Sequence, residues 1–174
     1  MQSITFRAAT LDDASAIAFV QFMGWHDTYK GIISDEVLSQ FTHEGQAKWW
    51  AKVIPIQKGF ITVMQDKESE TIGYVSGGRN RIKELNCDGE IYASYLLKKY
   101  HGTGIGRQLF LKGIAQLAEK GCKSFCLSVL KDNPTVKFYN KFNPDMEIRL
   151  TANTAGADAV ELGLGWSDIN KFRC

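Results

Sequence analysis

The chain has no run of five or six like charges, and its formal net charge is only +2. Nucleic-acid binding calls for a concentrated basic face, so that class is set aside. No apolar stretch reaches the roughly 20 residues of a membrane span, so no membrane partner is expected. The N-terminus lacks the basic start and apolar core of a secretory signal, and the expectation is a cytoplasmic protein. Cysteine is sparse, with Cys87, Cys122, Cys126 and Cys174. Their spacing fits neither a zinc site nor a redox motif. Cys122 and Cys126 form one local pair with no histidine nearby. Free thiols are the expected state, and no metal is expected. The chain also lacks internal repeats, low-complexity runs and an interdomain linker.

What remains is ordinary for a folded soluble chain, with 44% hydrophobic and 23% charged residues. A length of 174 residues gives the expectation of one domain over 1–174, large enough for one sizeable core.

Periodicity predicts the elements. Ile4 to Ala8 alternates as a strand. Thr10 caps a helix from Leu11 to about Met23, with Asp12 and Asp13 complementing its dipole. A loop through His26, Asp27, Tyr29 and Gly31 leads to a short helix from Asp35 to Phe41, capped by Ser34. His43 to about Ile54 reads helical and carries Trp49 and Trp50, with Pro55 ending it. Phe60 to Gln65 and Thr71 to Gly77 form a hairpin around Asp66 to Glu70. Glu90 to Leu97 is the next strand. Leu109, Phe110, Ile114, Leu117 and Ala118 then recur at helical spacing up to Gly121. Lys123 to Leu130 is a strand, followed by a helix around Tyr139. Met146 to Thr151 and Ala159 to Gly165 read as a closing hairpin around Asn153 to Asp158.

The most informative stretch is Tyr100-His101-Gly102-Thr103-Gly104-Ile105-Gly106-Arg107. It joins a strand to a helix N-terminus. Glycines there let backbone N–H groups approach a ligand without a Cβ in the way. The first helical turn leaves N–H groups unpaired, at the positive end of the helix dipole. Together these make an anion site from backbone alone. Two better-known phosphate motifs do not fit. The dinucleotide fingerprint would need a small residue where Arg107 stands, and an acid on the next strand, Lys123 to Leu130, which has none. The Walker A loop fails at Arg107 as well.

A spacing of G-x-G-x-G directly after a strand does fit. The run from Ile91 to Gly106 resembles the acetyl-CoA motif of the GNAT-superfamily N-acetyltransferases, with His101 in a position that is usually Gln or Arg. Downstream, Asp132-Asn133-Pro134-Thr135-Val136-Lys137-Phe138-Tyr139 resembles that family's Asn-x-x-Ala-x-x-Phe-Tyr segment. Read locally, Asn133 suits an N-cap and Pro134 the first helical position. The family's Gly-Phe ending is replaced by Phe142-Asn143-Pro144, where Asn can take a left-handed cap. The tail Gly165-Trp166-Ser167-Asp168-Ile169 and the segment Tyr29-Lys30-Gly31-Ile32-Ile33 are also similar to bacterial members. The element order β-α-α-β-β-β-α-β-α-β-β is that of the family.

The resemblance implies an α/β (α+β) fold, with a mixed, mostly antiparallel sheet flanked by helices. It implies an enzyme that moves an acetyl group from acetyl-CoA to a primary amine by direct attack. Leu96, Leu97 and Lys98 would follow the pantetheine arm. His101, Gly102, Thr103, Gly104, Ile105, Gly106 and Arg107 would hold the pyrophosphate, and Asn133 would contact the CoA arm. Tyr139 would protonate the leaving thiolate, since a phenol with pKa about 10 is protonated at neutral pH. Lys98, Lys99, Lys137 and Lys141 could add charge near the nucleotide, although each alone reads as a solvated surface residue.

Deprotonating an ammonium at neutral pH costs about 4–5 kcal/mol. Some members of the family carry a Glu at the start of this strand, so the resemblance implies Glu90 as the candidate base, and an exposed strand-end Glu is the plain alternative. Trp25, His26, Asp27, Tyr29, Arg79 and Arg81 fall where the acceptor pocket is expected. The acceptor reads as a small molecule, and a homodimer stays open. A non-catalytic CoA-sensing module on the same fold is the second reading, and an interaction domain that binds no CoA is the third.

Overall fold

The computed structural model describes residues 4–151 and 160–172. The chain opens with β1 (Thr5–Ala8), a short 3-10 turn, and α1 (Ala14–Tyr29). Asp13 ties the two together. It takes 2.7 Å hydrogen bonds from both terminal nitrogens of Arg7 and another from the Thr10 amide at 2.7 Å. Next come α2 (Asp35–Gln40) and α3 (His43–Val53). Ser34 and Thr42 cap them, their hydroxyls accepting from the amides of Val37 and Gly45. The hairpin of β2 (Phe60–Gln65) and β3 (Thr71–Arg79) follows, then β4 (Gly89–Leu96) and α4 (Ile105–Glu119). β5 (Phe125–Leu130), α5 (Val136–Asn140), β6 (Met146–Thr151) and β7 (Val160–Trp166) complete the order.

All seven strands lie in one sheet, ordered β1-β2-β3-β4-β5-β7-β6. Every pairing is antiparallel except that of β4 with β5. Strand alternation sorts the side chains of β2 onto two faces. Phe60 and Met64 face α4, whose Leu109, Phe110, Ile114 and Leu117 fill the larger core. Ile61 and Val63 face α1 and α3, against Ile17, Ala18, Val20 and Trp50. Each fully buried Ile, Leu, Val, Met or Phe side chain contributes about 1.5–3 kcal/mol of burial. The expected mixed sheet with flanking helices is the observed one.

Two expectations need correction. α1 does not stop near Met23 but runs to Tyr29, so Trp25, His26 and Asp27 are helical. Gly31, at φ +82°, then makes the left-handed turn that ends it. The second concerns α5. Asn133 is not its cap and Pro134 not its first residue, because the helix begins at Val136. The Asn133 Oδ1 instead accepts from the Thr135 amide at 2.8 Å and its hydroxyl at 2.6 Å, a side-chain turn that precedes the helix.

Asn143 takes the left-handed conformation expected of it, at φ +51°. The turn expected at 153–158 lies outside the described residues. Trp166 and Ile169 of the tail are buried, and the Trp166 indole donates to the Phe142 carbonyl at 2.8 Å. The tail signature is therefore packing that anchors the end of α5.

Candidate active site

The site begins where two strands part. β4 and β5 pair only at Gly89 with Phe125 and Glu90 with Cys126. Beyond that, β4 stays with β3 and β5 stays with β7. The gap between them is an inner cavity of about 130 Å³, reached by Ile91 to Leu96 on one side and Leu127 to Val129 on the other. The C-terminal part of α1 closes it with Gly24, Asp27, Thr28 and Tyr29. An outer groove of about 570 Å³ adjoins it, lined by Gly102, Gly104, Gly106, Arg107, Phe138 and Lys141 among others. Ser94, Leu96, His101, Thr135 and Tyr139 line both spaces.

The glycine turn is built for its place on the groove. Gly102 and Gly104 have φ of +75° and +84°, a conformation that costs other residues roughly 1–2 kcal/mol. A Cβ placed on either would meet nothing within 4 Å, so the turn is open on its outer side. Among the described residues, the amides of Gly102, Thr103, Gly104, Ile105 and Gly106 have no hydrogen-bond acceptor. The first satisfied amide of α4 is that of Arg107, which donates to the Gly104 carbonyl at 3.1 Å. Five free donors at the N-terminus of a 15-residue helix, with Arg107 and Lys141 beside them, suit an anion of two phosphates. His101 shapes the entrance, with Nε2 2.9 Å from the Leu96 carbonyl.

Tyr139 sits on α5 with its ring against Phe110, at a centroid distance of 5.3 Å. Burial pushes its phenol above the ordinary value of 10.0. The hydroxyl therefore keeps its proton at neutral pH. Asn133 is buried and donates from Nδ2 to the Tyr29 hydroxyl at 3.2 Å, and Tyr29 in turn reaches Tyr95. Burial raises the Tyr29 and Tyr95 phenols as well. The inner cavity is thus walled by phenols that stay neutral.

The side chains of the other expected site residues stand elsewhere. Ile105 is a core residue. Leu97 packs between the two cores, and Thr103 turns its hydroxyl onto the Tyr100 carbonyl at 2.6 Å. Lys98 lies 3.6 Å from Asp27 and outside both spaces. Glu90 is 3% exposed, so it is not the exposed strand-end residue of the plain reading. Its Oε2 accepts from the Arg81 amide at 2.7 Å and its Oε1 from the guanidinium at 2.6 Å. Glu90 lines neither space. Arg81 also lies 3.7 Å above the Tyr92 ring, so its charge is committed. The sequence reading missed Ser94, Ser128 and Thr135, small polar residues with no motif of their own. Only the strand alternation after Glu90 could have pointed Ser94 to the same side as Leu96.

Three comparisons bear on this arrangement. The model of the acetyltransferase (GNAT) family matches residues 22–143. The uncharacterized N-acetyltransferase YuaI of Bacillus subtilis (strain 168) is 33% identical over 171 residues, 98% of this chain and 96% of that protein. Among solved structures, the PaiA N-acetyltransferase of Thermoplasma acidophilum in complex with coenzyme A has a TM-score of 0.66 at 21% identity. That match covers 92% of this chain and 98% of the other. The yncA structure from Salmonella typhimurium, with its cofactor acetyl-CoA, has a TM-score of 0.67 at 14% identity, over 94% and 93% of the two chains. With the glycine turn, the parted strands and Tyr139 on one groove, the chain belongs to the GNAT family of acetyltransferases.

Proposed function

We propose that the protein transfers an acetyl group from acetyl-CoA to a primary amine of a small molecule, by direct attack within the cleft between β4 and β5. The observation that carries this reading is the position of Tyr139. Its side chain lines both the groove below the glycine turn and the cavity inside the sheet. A donor held in the groove and an acceptor held in the cavity would meet beside its hydroxyl. Gly102 to Gly106 would grip the diphosphate through their amides, and Arg107 and Lys141 would add positive charge. The free strand edge of β4 from Ile91 to Leu96 offers backbone groups to the arm that follows.

Acetyl-CoA supplies the acetyl carbonyl and a thiolate leaving group. The acceptor nitrogen forms the new C–N bond as the C–S bond breaks. Tyr139 donates its proton to the departing sulfur, and regains one from the nitrogen through water. Holding both reactants in one cleft turns a bimolecular step into an effectively unimolecular one. Glu90 is given no share in this transfer, because Arg81 engages both of its oxygens and neither space reaches it. The acceptor ammonium loses its proton to solvent before attack.

Release of free thiol from acetyl-CoA, measured over a panel of amines, tests the reading. Amine-dependent release with a matching acetylated product supports it. Tight coenzyme A binding without release on any amine would favour the sensing module instead.

A further inference from the structure

The extension of α1 to Tyr29 places a helix C-terminus on the inner cavity. Such an end carries roughly half a negative charge. Asp27 adds a full one, and among the described residues it is the only carboxylate lining that cavity. The remaining polar walls are phenols, small hydroxyls and Asn133. Phenol faces also attract cations. His101 is the one lining group able to carry a positive charge, and its Nε2 is engaged by the Leu96 carbonyl. Lys98 and Arg81 are cations that stand nearby but outside. Lys98 reaches Asp27 at 3.6 Å, yet its side chain is 71% exposed and does not line the cavity. A pair so exposed is worth little and exchanges readily. Arg81 is held by Glu90 and Tyr92. Among the described residues, the cavity therefore has a negative field and no free cation in its lining.

A carboxylate beside the reacting nitrogen would hold it as ammonium and oppose attack. The charge of Asp27 helps the reaction only through a second positive group on the acceptor. We propose that Asp27 is a specificity residue that selects a compact diamine, pairing with one ammonium while the other nitrogen, uncharged, attacks. The cavity volume of about 130 Å³ restricts the acceptor to a short chain. This inference rests on the transferase reading above.

The test compares kcat/KM for a four-carbon diamine, the monoamine of equal length and the amino acid of equal length. The wild type should favour the diamine over the monoamine by about tenfold, the worth of one charged hydrogen bond, and use the amino acid least. In Asp27→Asn that ratio should fall close to one, and Asp27→Glu should restore part of it. A melting curve and coenzyme A affinity like those of the wild type would show that the variant folds. Equal use of diamine and monoamine by the wild type would overturn the inference and leave acetyl transfer standing. A preference that survives Asp27→Asn, or that favours the amino acid, would do the same. Thiol release on no amine at all would remove the transferase reading, and the inference with it.

Discussion

Replacing Tyr139 by Phe deletes one oxygen and leaves the ring. The ring keeps its contacts with Phe110 and Phe138, both at 5.3 Å between centroids. Among the described residues the hydroxyl has no hydrogen-bond partner, so folding loses no bond with it. The melting temperature should therefore hardly move, with a stability change within about 0.5 kcal/mol. Coenzyme A affinity should also hold, since the diphosphate is gripped by amides elsewhere. The loss should appear in the chemical step. A hydrogen bond to a charged group is worth about 1.5–3 kcal/mol, and here the charge develops on sulfur only in the transition state. At about 1.4 kcal/mol per tenfold, kcat should fall roughly ten- to a hundredfold at little change in the KM for acetyl-CoA. Burial raises the phenol above its ordinary value of 10.0, so the wild-type acid stays protonated through neutral pH. Its activity should show no loss from this group below that value. The assay is steady-state thiol release at saturating amine, beside a melting curve. A kcat within twofold of the wild type would refute the acid role.

Two other perturbations separate structure from chemistry. Glu90→Gln removes a buried carboxylate whose Arg81 partner is 63% exposed in its side chain, so the freed cation can hydrate. A stability loss of about 1–2 kcal/mol with kcat within about threefold is expected. A far larger fall in kcat, with the acidic limb of the pH–rate profile lost, would make Glu90 the base after all. The second concerns acid stability. The Arg7 hydrogen bonds lower the Asp13 carboxyl below its ordinary 3.8 in the folded state. The ionised form is thus favoured by folding. The gain is present above that ordinary value and is lost as pH falls through the lower folded one. Melting curves should show wild type above Asp13→Asn by about 1 kcal/mol near neutrality, discounted for the exposed Arg7. The gap should close only in acid; a gap independent of pH would contradict the pairing.

The parts of the fold that the sequence revealed are those written in local chemistry. The hairpin of Phe60–Gln65 and Thr71–Arg79 announces itself by two runs rich in β-branched residues around a polar turn. α4 shows its apolar stripe, and Gly102 and Gly104 do sit where only a residue tolerant of positive φ is comfortable. What stayed hidden depends on distant partners. His26 and Asp27 look like loop residues, yet α1 continues because Trp25 stacks on Phe41 at 4.5 Å and Tyr29 is held by Asn133. Gly31 was the one local hint of the true end. Glu90 likewise reads as an exposed acid until the loop after β3 brings Arg81 over it. The phenols around the inner cavity come from α1, β4 and α5, and no spacing along the chain relates them.

The central claim is that unpaired amides at the start of α4 grip the diphosphate of the acetyl donor. Titration calorimetry of coenzyme A into the wild type and Gly104→Ala tests it most directly. The alanine fits without a clash in the protein, but at φ +84° it strains the turn that aims the free amides. Binding to the wild type and a loss of about tenfold or more in the folded variant are predicted. No binding to the wild type, or equal affinity in the two proteins, would contradict it.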